Sequence, residues 1–134
     1  MSQRTWWPGN KAEDGSSTVE VVIVFPLLIL TLMLVFQFAF WYHARHVALA
    51  AAEEGARAAR VDTGTAAAGA ARAERFVRDL GSSVIVNPKV SASRNLDVAR
   101  VEVSGQARNV VPGLRLPIRQ ASQGPIERFR GADE

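Results

Sequence analysis

One block of apolar residues constrains this chain more than any other feature. From Val19 to Tyr42 the sequence carries one acid, one Pro, one Thr and one Gln, and all its other residues are apolar or aromatic. A helix from Val21 to Tyr42 would be about 33 Å long, enough to cross a hydrocarbon core of about 30 Å. Trp41 and Tyr42 end the block, which is typical of the aromatic belt at a membrane surface. The block therefore predicts a transmembrane helix.

The rest of the 134-residue chain is mostly Ala, Arg, Ser, Gly and Val. Such residues cannot bury a large core by themselves, which argues against an ordinary soluble enzyme domain. The chain has no cysteine, so it has no disulfide and no thiolate metal site. Its basic residues are dispersed among acids rather than gathered on one stripe, so we expect no nucleic-acid partner.

Residues 16–60 are predicted to form one long helix. The stretch from Ser17 to Glu20 fits the S-x-x-E capping box, which places the helix start there. Pro26 removes a backbone hydrogen bond and predicts a kink rather than an end. Beyond the aromatic belt, the Ala-rich stretch stays helical by propensity. Its apolar residues are small, so this half of the helix is expected to pack against a neighbour or against its own domain.

Residues 65–80 predict a second, amphipathic helix with Thr65 as its N-cap and Gly81 as its stop. Its predicted apolar face consists of Ala73, Phe76, Val77 and Leu80. The hydrophobic period then changes to two, which indicates strands. The predicted strand runs are 84–86, interrupted by Pro88, then 90–93, 96–105 and 114–121, with a turn at 123–125. The predicted fold class is α+β and membrane-anchored: a long transmembrane helix with an Ala-rich extension, a second short helix and a small antiparallel β-sheet.

No motif supports catalysis. The sequence has no nucleophile elbow, no glycine-rich phosphate loop after a strand and no HExxH frame. His43 and His46 share a helix face, but they have no third ligand at useful spacing, so we interpret them as interfacial side chains. We expect no catalytic residue, metal, cofactor or small-molecule substrate, and we do not expect an enzyme.

Glu20 is unusual because an ionised carboxylate is costly at the start of an apolar block. Two interpretations stay open. The carboxylate could cap the helix together with Ser17, where the helix dipole also favours it. It could instead pair with a cationic group on another subunit, such as the free α-amino group of a neighbouring chain. The second interpretation requires a trimmed leader, and the Gly15–Ser16 step permits such a cut.

The segment from Gly15 to Glu20, followed by an apolar helix with Pro26, resembles the class III signal peptide of type IV pilins and pseudopilins. Residues 15–44 are similar, more closely, to the start of TadE-like proteins, which are minor pseudopilins of the tight-adherence (Flp pilus) system. The shared features are Val19-Glu20, Pro26-Leu27-Leu28, the EGARAA stretch at 54–59 and, more weakly, the Val-Pro-Gly turn at 111–113.

This resemblance implies a leader at 1–15 that prepilin peptidase removes between Gly15 and Ser16. It implies a transmembrane helix with its extension at 16–61 and an extracytoplasmic α+β domain at 62–134. The N-terminus would be cytoplasmic, in a single-pass protein of the cytoplasmic membrane that could join a cell-surface pilus. Its partners would be the membrane, the peptidase, other pilins or pseudopilins and the assembly platform. Glu20 would then serve subunit pairing, Pro26 the helix kink, and Trp41 and Tyr42 the membrane interface.

Other readings of the sequence stay open. One is a single-pass membrane scaffold without a pilus role, and another is a family member that is never cut. A third is a secreted protein cut after the Ala48-Leu49-Ala50 site, although the apolar block is long for a conventional signal peptide. Charge alone points to the opposite orientation, because Arg45, Arg57 and Arg60 follow the block while the leader charge sums to zero.

Overall fold

The computed structural model describes residues 13–128 and shows two helices followed by three strands. Helix α1 is Glu13–Arg60 and α2 is Ala66–Phe76, which continues into a π-helical turn at Val77–Gly81. Strands β1, β2 and β3 are Ile85–Arg94, Val98–Ala107 and Pro117–Pro125, in an antiparallel sheet of order β1-β2-β3. The predicted α+β fold class is confirmed. Residues 1–12 of the predicted leader and residues 129–134 of the predicted domain lie outside the described residues.

Helix α1 has two halves with opposite surroundings. From Val19 to Phe36 every side chain is exposed except Met33, which is half-buried. Burial begins at Gln37 and continues through the Ala-rich half of the helix. The first half is long and apolar enough to cross a membrane, whereas the second half is part of a folded domain.

The domain has two layers, with α2 and the second half of α1 packed on one face of the sheet. On β2, Val101 and Val103 are buried towards the helices, while Arg100 and Glu102 lie on the outer face. Alanine supplies about half of the core, which consists of Ala44, Ala48, Ala51, Ala52, Ala56, Ala73, Val77, Val84, Ile85, Val101, Val103, Ala107 and Ile118. Because these side chains are small, the domain depends on close approach between backbones rather than on bulky packing.

The predicted start of α1 is wrong. The chain is already helical at Glu13, so Ser17 lies inside α1 and does not form the predicted capping box with Glu20. Helical structure therefore starts before the apolar block rather than at its edge.

The predicted N-cap of α2 is confirmed, because the Thr65 hydroxyl accepts a hydrogen bond from the backbone N–H of Ala68 at 3.0 Å. The predicted position of Leu80 on the apolar face is wrong, since its side chain is 59% exposed. The helix widens into its π-helical turn at Val77, which changes the rotation per residue. Val77 stays buried, and Leu80 is rotated off the face.

The predicted interruption at Pro88 is also wrong. Strand β1 continues through this residue, and a register shift between Val86 and Lys89 absorbs it. Asn87 sits in this bulge with a φ of 50°. A bulge tolerates proline because it leaves ladder positions unpaired. The last strand is shifted as well, since β3 runs through the turn predicted at 123–125.

Candidate functional site

The predicted processing step, between Gly15 and Ser16, lies within α1. Gly15 is exposed, and a Cβ placed on it would meet no atom within 4 Å. This part of the helix is therefore open to a protease cleft on the side of Gly15.

Glu20 lies one turn further along α1 and is exposed. Together with its neighbours on the helix surface it lines a shallow apolar groove; these neighbours are Val21, Val24, Phe25 and Leu28. Among residues 13–128 no basic side chain forms an ion pair with it. Since the capping box is absent, the interpretation of Glu20 as a helix cap loses its partner, and pairing with another subunit stays a prediction.

Two further residues shape the exposed half of α1. Pro26 lies inside the helix and lacks an N–H, so the carbonyl group of Val22 has no donor from the next turn. The hydroxyl of Thr31 donates to the Leu27 carbonyl at 2.8 Å, which satisfies this polar group within its own helix. The Thr31 hydrogen bond suits a lipid environment. The kink at Pro26 stays a prediction.

Trp41 and Tyr42 have different surroundings. Trp41 is half-buried against the domain, and its indole N–H donates to the Pro117 carbonyl at 3.4 Å. The Arg45 guanidinium lies 4.8 Å from the centre of the Trp41 ring. Tyr42 is exposed, and its ring meets His46 edge-on at 4.4 Å. Their predicted place at the membrane interface stays a prediction, but Trp41 also joins the anchor helix to β3.

Gln37 is a functional candidate that the sequence interpretation missed. Its side chain is only 1% exposed, and its carbonyl oxygen accepts from the backbone N–H groups of Val110 at 2.6 Å and Val111 at 3.2 Å. Its amide group donates to the Arg108 carbonyl at 3.2 Å. These three bonds fix the β2–β3 loop, residues 108–116, against α1. The available signal was that Gln37 is the only amide side chain in the apolar block.

The EGARAA stretch lies where α1 crosses α2. A Cβ placed on Gly55 would lie 2.7 Å from the carbonyl oxygen of Gly69, and one on Gly69 would lie 2.8 Å from that of Gly55. Only glycine permits so close an approach of the two backbones. Beside the crossing, Glu54 and Arg72 form an ion pair at 2.6 Å. The stretch is therefore a helix-packing site.

Comparison with known protein families relates most of helix α1 to one of them. Residues 15–57 match the family described as TadE-like protein. Over these residues the chain is similar to TadE-like proteins. The match contains Gly15, Glu20, Pro26 and Gly55, which confirms the resemblance over the long helix. No curated protein and no solved structure matched the chain in two further comparisons.

The TadE-like segment ends inside α1, three residues before the helix does. It therefore contains the whole exposed apolar half and the part of the helix that packs on the sheet. Helix α2, the sheet and the Val-Pro-Gly turn lie beyond it, so the likeness of that turn to the family stays a prediction. The TadE-like match thus concerns the anchor and its attachment to the domain.

Proposed function

We propose that this chain is a minor pseudopilin of the tight-adherence (Flp) pilus or a related secretion machinery. In this proposal prepilin peptidase cuts it between Gly15 and Ser16, and α1 anchors it in the cytoplasmic membrane with the domain outside. The TadE-like match supports a component related to this pilus system. The observation that carries the proposal is the exposed apolar half of α1, which follows Gly15 and continues unbroken into the domain core.

The exposed half of α1 requires another apolar surface to cover it. Burial of one large aliphatic side chain is worth about 1.5–3 kcal/mol, and from Val19 to Phe36 almost every residue is of this kind. A lipid bilayer covers such a helix, and so does a bundle of like helices. A pilin-type subunit uses the same helix surface for both contacts: it faces lipid in the membrane and then faces other helices in an assembly.

Glu20 is expected to act in assembly. Cleavage after Gly15 would create an α-amino group at Ser16, and a carboxylate in an apolar bundle needs a cation of this kind. We propose that the Glu20 carboxylate forms an ion pair with the α-amino group of a neighbouring subunit. The chain then works as a peptidase substrate and a structural subunit, and it catalyses no reaction itself.

The secreted alternative fits the packing poorly. A cut after Ala50 would fall between Ala48 and Ala51, which are both fully buried in the core. It would also remove Gln37 and Trp41, which hold the β2–β3 loop and the start of β3. A membrane scaffold without a pilus role would keep the same anchor. The pseudopilin and the scaffold are therefore distinguished by whether the chain is cleaved and whether it is needed for pili.

The proposal is tested by expressing the chain with its peptidase and the pilus machinery. Cleavage should shorten the wild type and the control Ser17→Ala by the leader, while Gly15→Ala stays at full length. Glu20→Ala should reach the membrane but yield few or no pili. An uncut wild type would remove the processing step, and normal pili from Glu20→Ala would remove the pairing role.

A further inference from the structure

The β2–β3 loop lies beside α1 at Gln37, where the exposed half of the helix ends and burial in the domain begins. Gln37 holds the backbone of Val110 and Val111 at its own level. Strand β3 begins next to Trp41, and just beyond its other end the N–H of Glu127 donates to the carbonyl of Arg60 at 3.1 Å. Strand β3 therefore runs alongside α1 in the same direction, and the loop before it points towards the exposed half of the helix.

The length of α1 places this loop relative to a bilayer. A hydrocarbon core of about 30 Å needs roughly 20 helical residues. Counted from Val21, the first residue after the acid, such a span ends at Phe40. Gln37 lies three residues before that end, or about 4–5 Å inside it at 1.5 Å per residue. Met33, one turn earlier on the same face, is already half-buried. The domain thus begins before the span is complete.

The loop has the chemistry that this depth requires. Residues 109–114 carry no charge and include Val110, Val111, Pro112 and Leu114. The backbone N–H groups of Val110 and Val111 are paired with Gln37, and that of Leu114 donates to the Val111 carbonyl at 3.2 Å. Unpaired backbone groups are the main cost of placing a loop near lipid, and these three are satisfied. Arg115, which follows, is exposed, and a long arginine side chain can place its charge among headgroups while its stem lies against apolar surface.

We propose that the β2–β3 loop is a second membrane contact, with its Pro112–Gly113 tip seated at the boundary between lipid headgroups and acyl chains. The partner is the lipid surface itself. The contact would fix how the domain stands on the membrane, because the loop as well as α1 would touch the bilayer. The inference goes beyond the pilus role and rests only on α1 spanning a membrane.

The natural chain has no cysteine, so single thiols can be introduced for labelling. The test uses the full chain in vesicles of phosphatidylcholine and phosphatidylglycerol, with a polarity-sensitive fluorophore on one cysteine at a time. Pro112→Cys reports on the loop tip. Leu96→Cys is the matched control, because it lies in the β1–β2 turn at the opposite end of the sheet and is 81% exposed. Leu30→Cys reports on the anchor.

Lipids with bromine on their upper acyl carbons should quench the label at 112, lipids with bromine near the ends of their acyl chains should quench the label at 30, and neither should change the label at 96. Quenching at 30 without quenching at 112 would overturn the inference while the anchor stands. Equal quenching at 96 and 112 would also overturn it, since the domain would then lie flat on the surface. No quenching at 30 would reject the membrane anchor and the inference with it.

Discussion

The Gln37 contact offers the sharpest test of how the anchor helix is joined to the domain. We consider Gln37→Met, because methionine has a similar length and volume but no hydrogen-bonding amide. The substitution leaves the space behind the loop filled. It removes two acceptor contacts to the N–H groups of Val110 and Val111 and one donor contact to the Arg108 carbonyl.

The expected cost follows from these three bonds. A hydrogen bond contributes about 1 kcal/mol net, and a buried group left without a partner costs about 1–3 kcal/mol. Water can reach part of an opened loop, so the smaller value applies to each bond, and the loop should lose about 3 kcal/mol. A tenfold change in an equilibrium corresponds to about 1.4 kcal/mol, so local opening should become on the order of 100-fold more frequent.

Amide hydrogen exchange of the full chain in detergent micelles measures this opening at Val110 and Val111. Thr31→Val is the matched control, because Thr31 is the other uncharged polar side chain in the same apolar segment and bonds only to its own helix. The control should leave exchange in the loop unchanged. Wild-type exchange rates at both loop amides in Gln37→Met would show that the three bonds contribute no stability to the loop.

Three further substitutions test the packing of the domain. Gly55→Ala should lower the free energy of unfolding by about 1–3 kcal/mol in a urea titration, because its Cβ would overlap the backbone of α2. The control Gly15→Ala should leave the free energy of unfolding unchanged or slightly higher. Equal stability of the two variants would contradict the close crossing. Arg94→Met should destabilise the domain by about 1–3 kcal/mol and speed amide exchange in the α1–α2 turn, whose carbonyl groups accept from its guanidinium; unchanged exchange there would contradict this role. Glu54→Gln should cost less than about 1 kcal/mol, and the difference should shrink at high salt, because the pair with Arg72 is partly exposed; a larger or salt-independent loss would contradict that estimate.

Much of the architecture could be predicted because local patterns determine it. The apolar block and the Ala-rich run that follows it specify one long helix. The alternation around Val101 and Val103 specifies a half-buried strand, and Thr65 marks the start of α2. In each case the signal and the structure lie within the same few residues. The TadE-like match follows from the same helix.

The rest depends on partners that are distant in sequence. Gln37 bonds to a loop more than 70 residues away, and the requirement for Gly55 arises from the backbone of α2. The bulge that admits Pro88 depends on the register of β1 with β2. The exposure of Leu80 depends on the π-helical turn that follows α2. No local pattern specifies these contacts, since each is fixed only when the sheet closes on the two helices.

The central claim is that this chain is trimmed to a mature subunit that keeps α1 as its anchor. The most direct measurement is the intact mass and first residue of the protein recovered from its native membrane. We expect Ser16 as the first residue in the membrane fraction. A chain that still begins at Met1 would contradict the cleavage, and a soluble chain that begins at Ala51 would contradict the anchor as well.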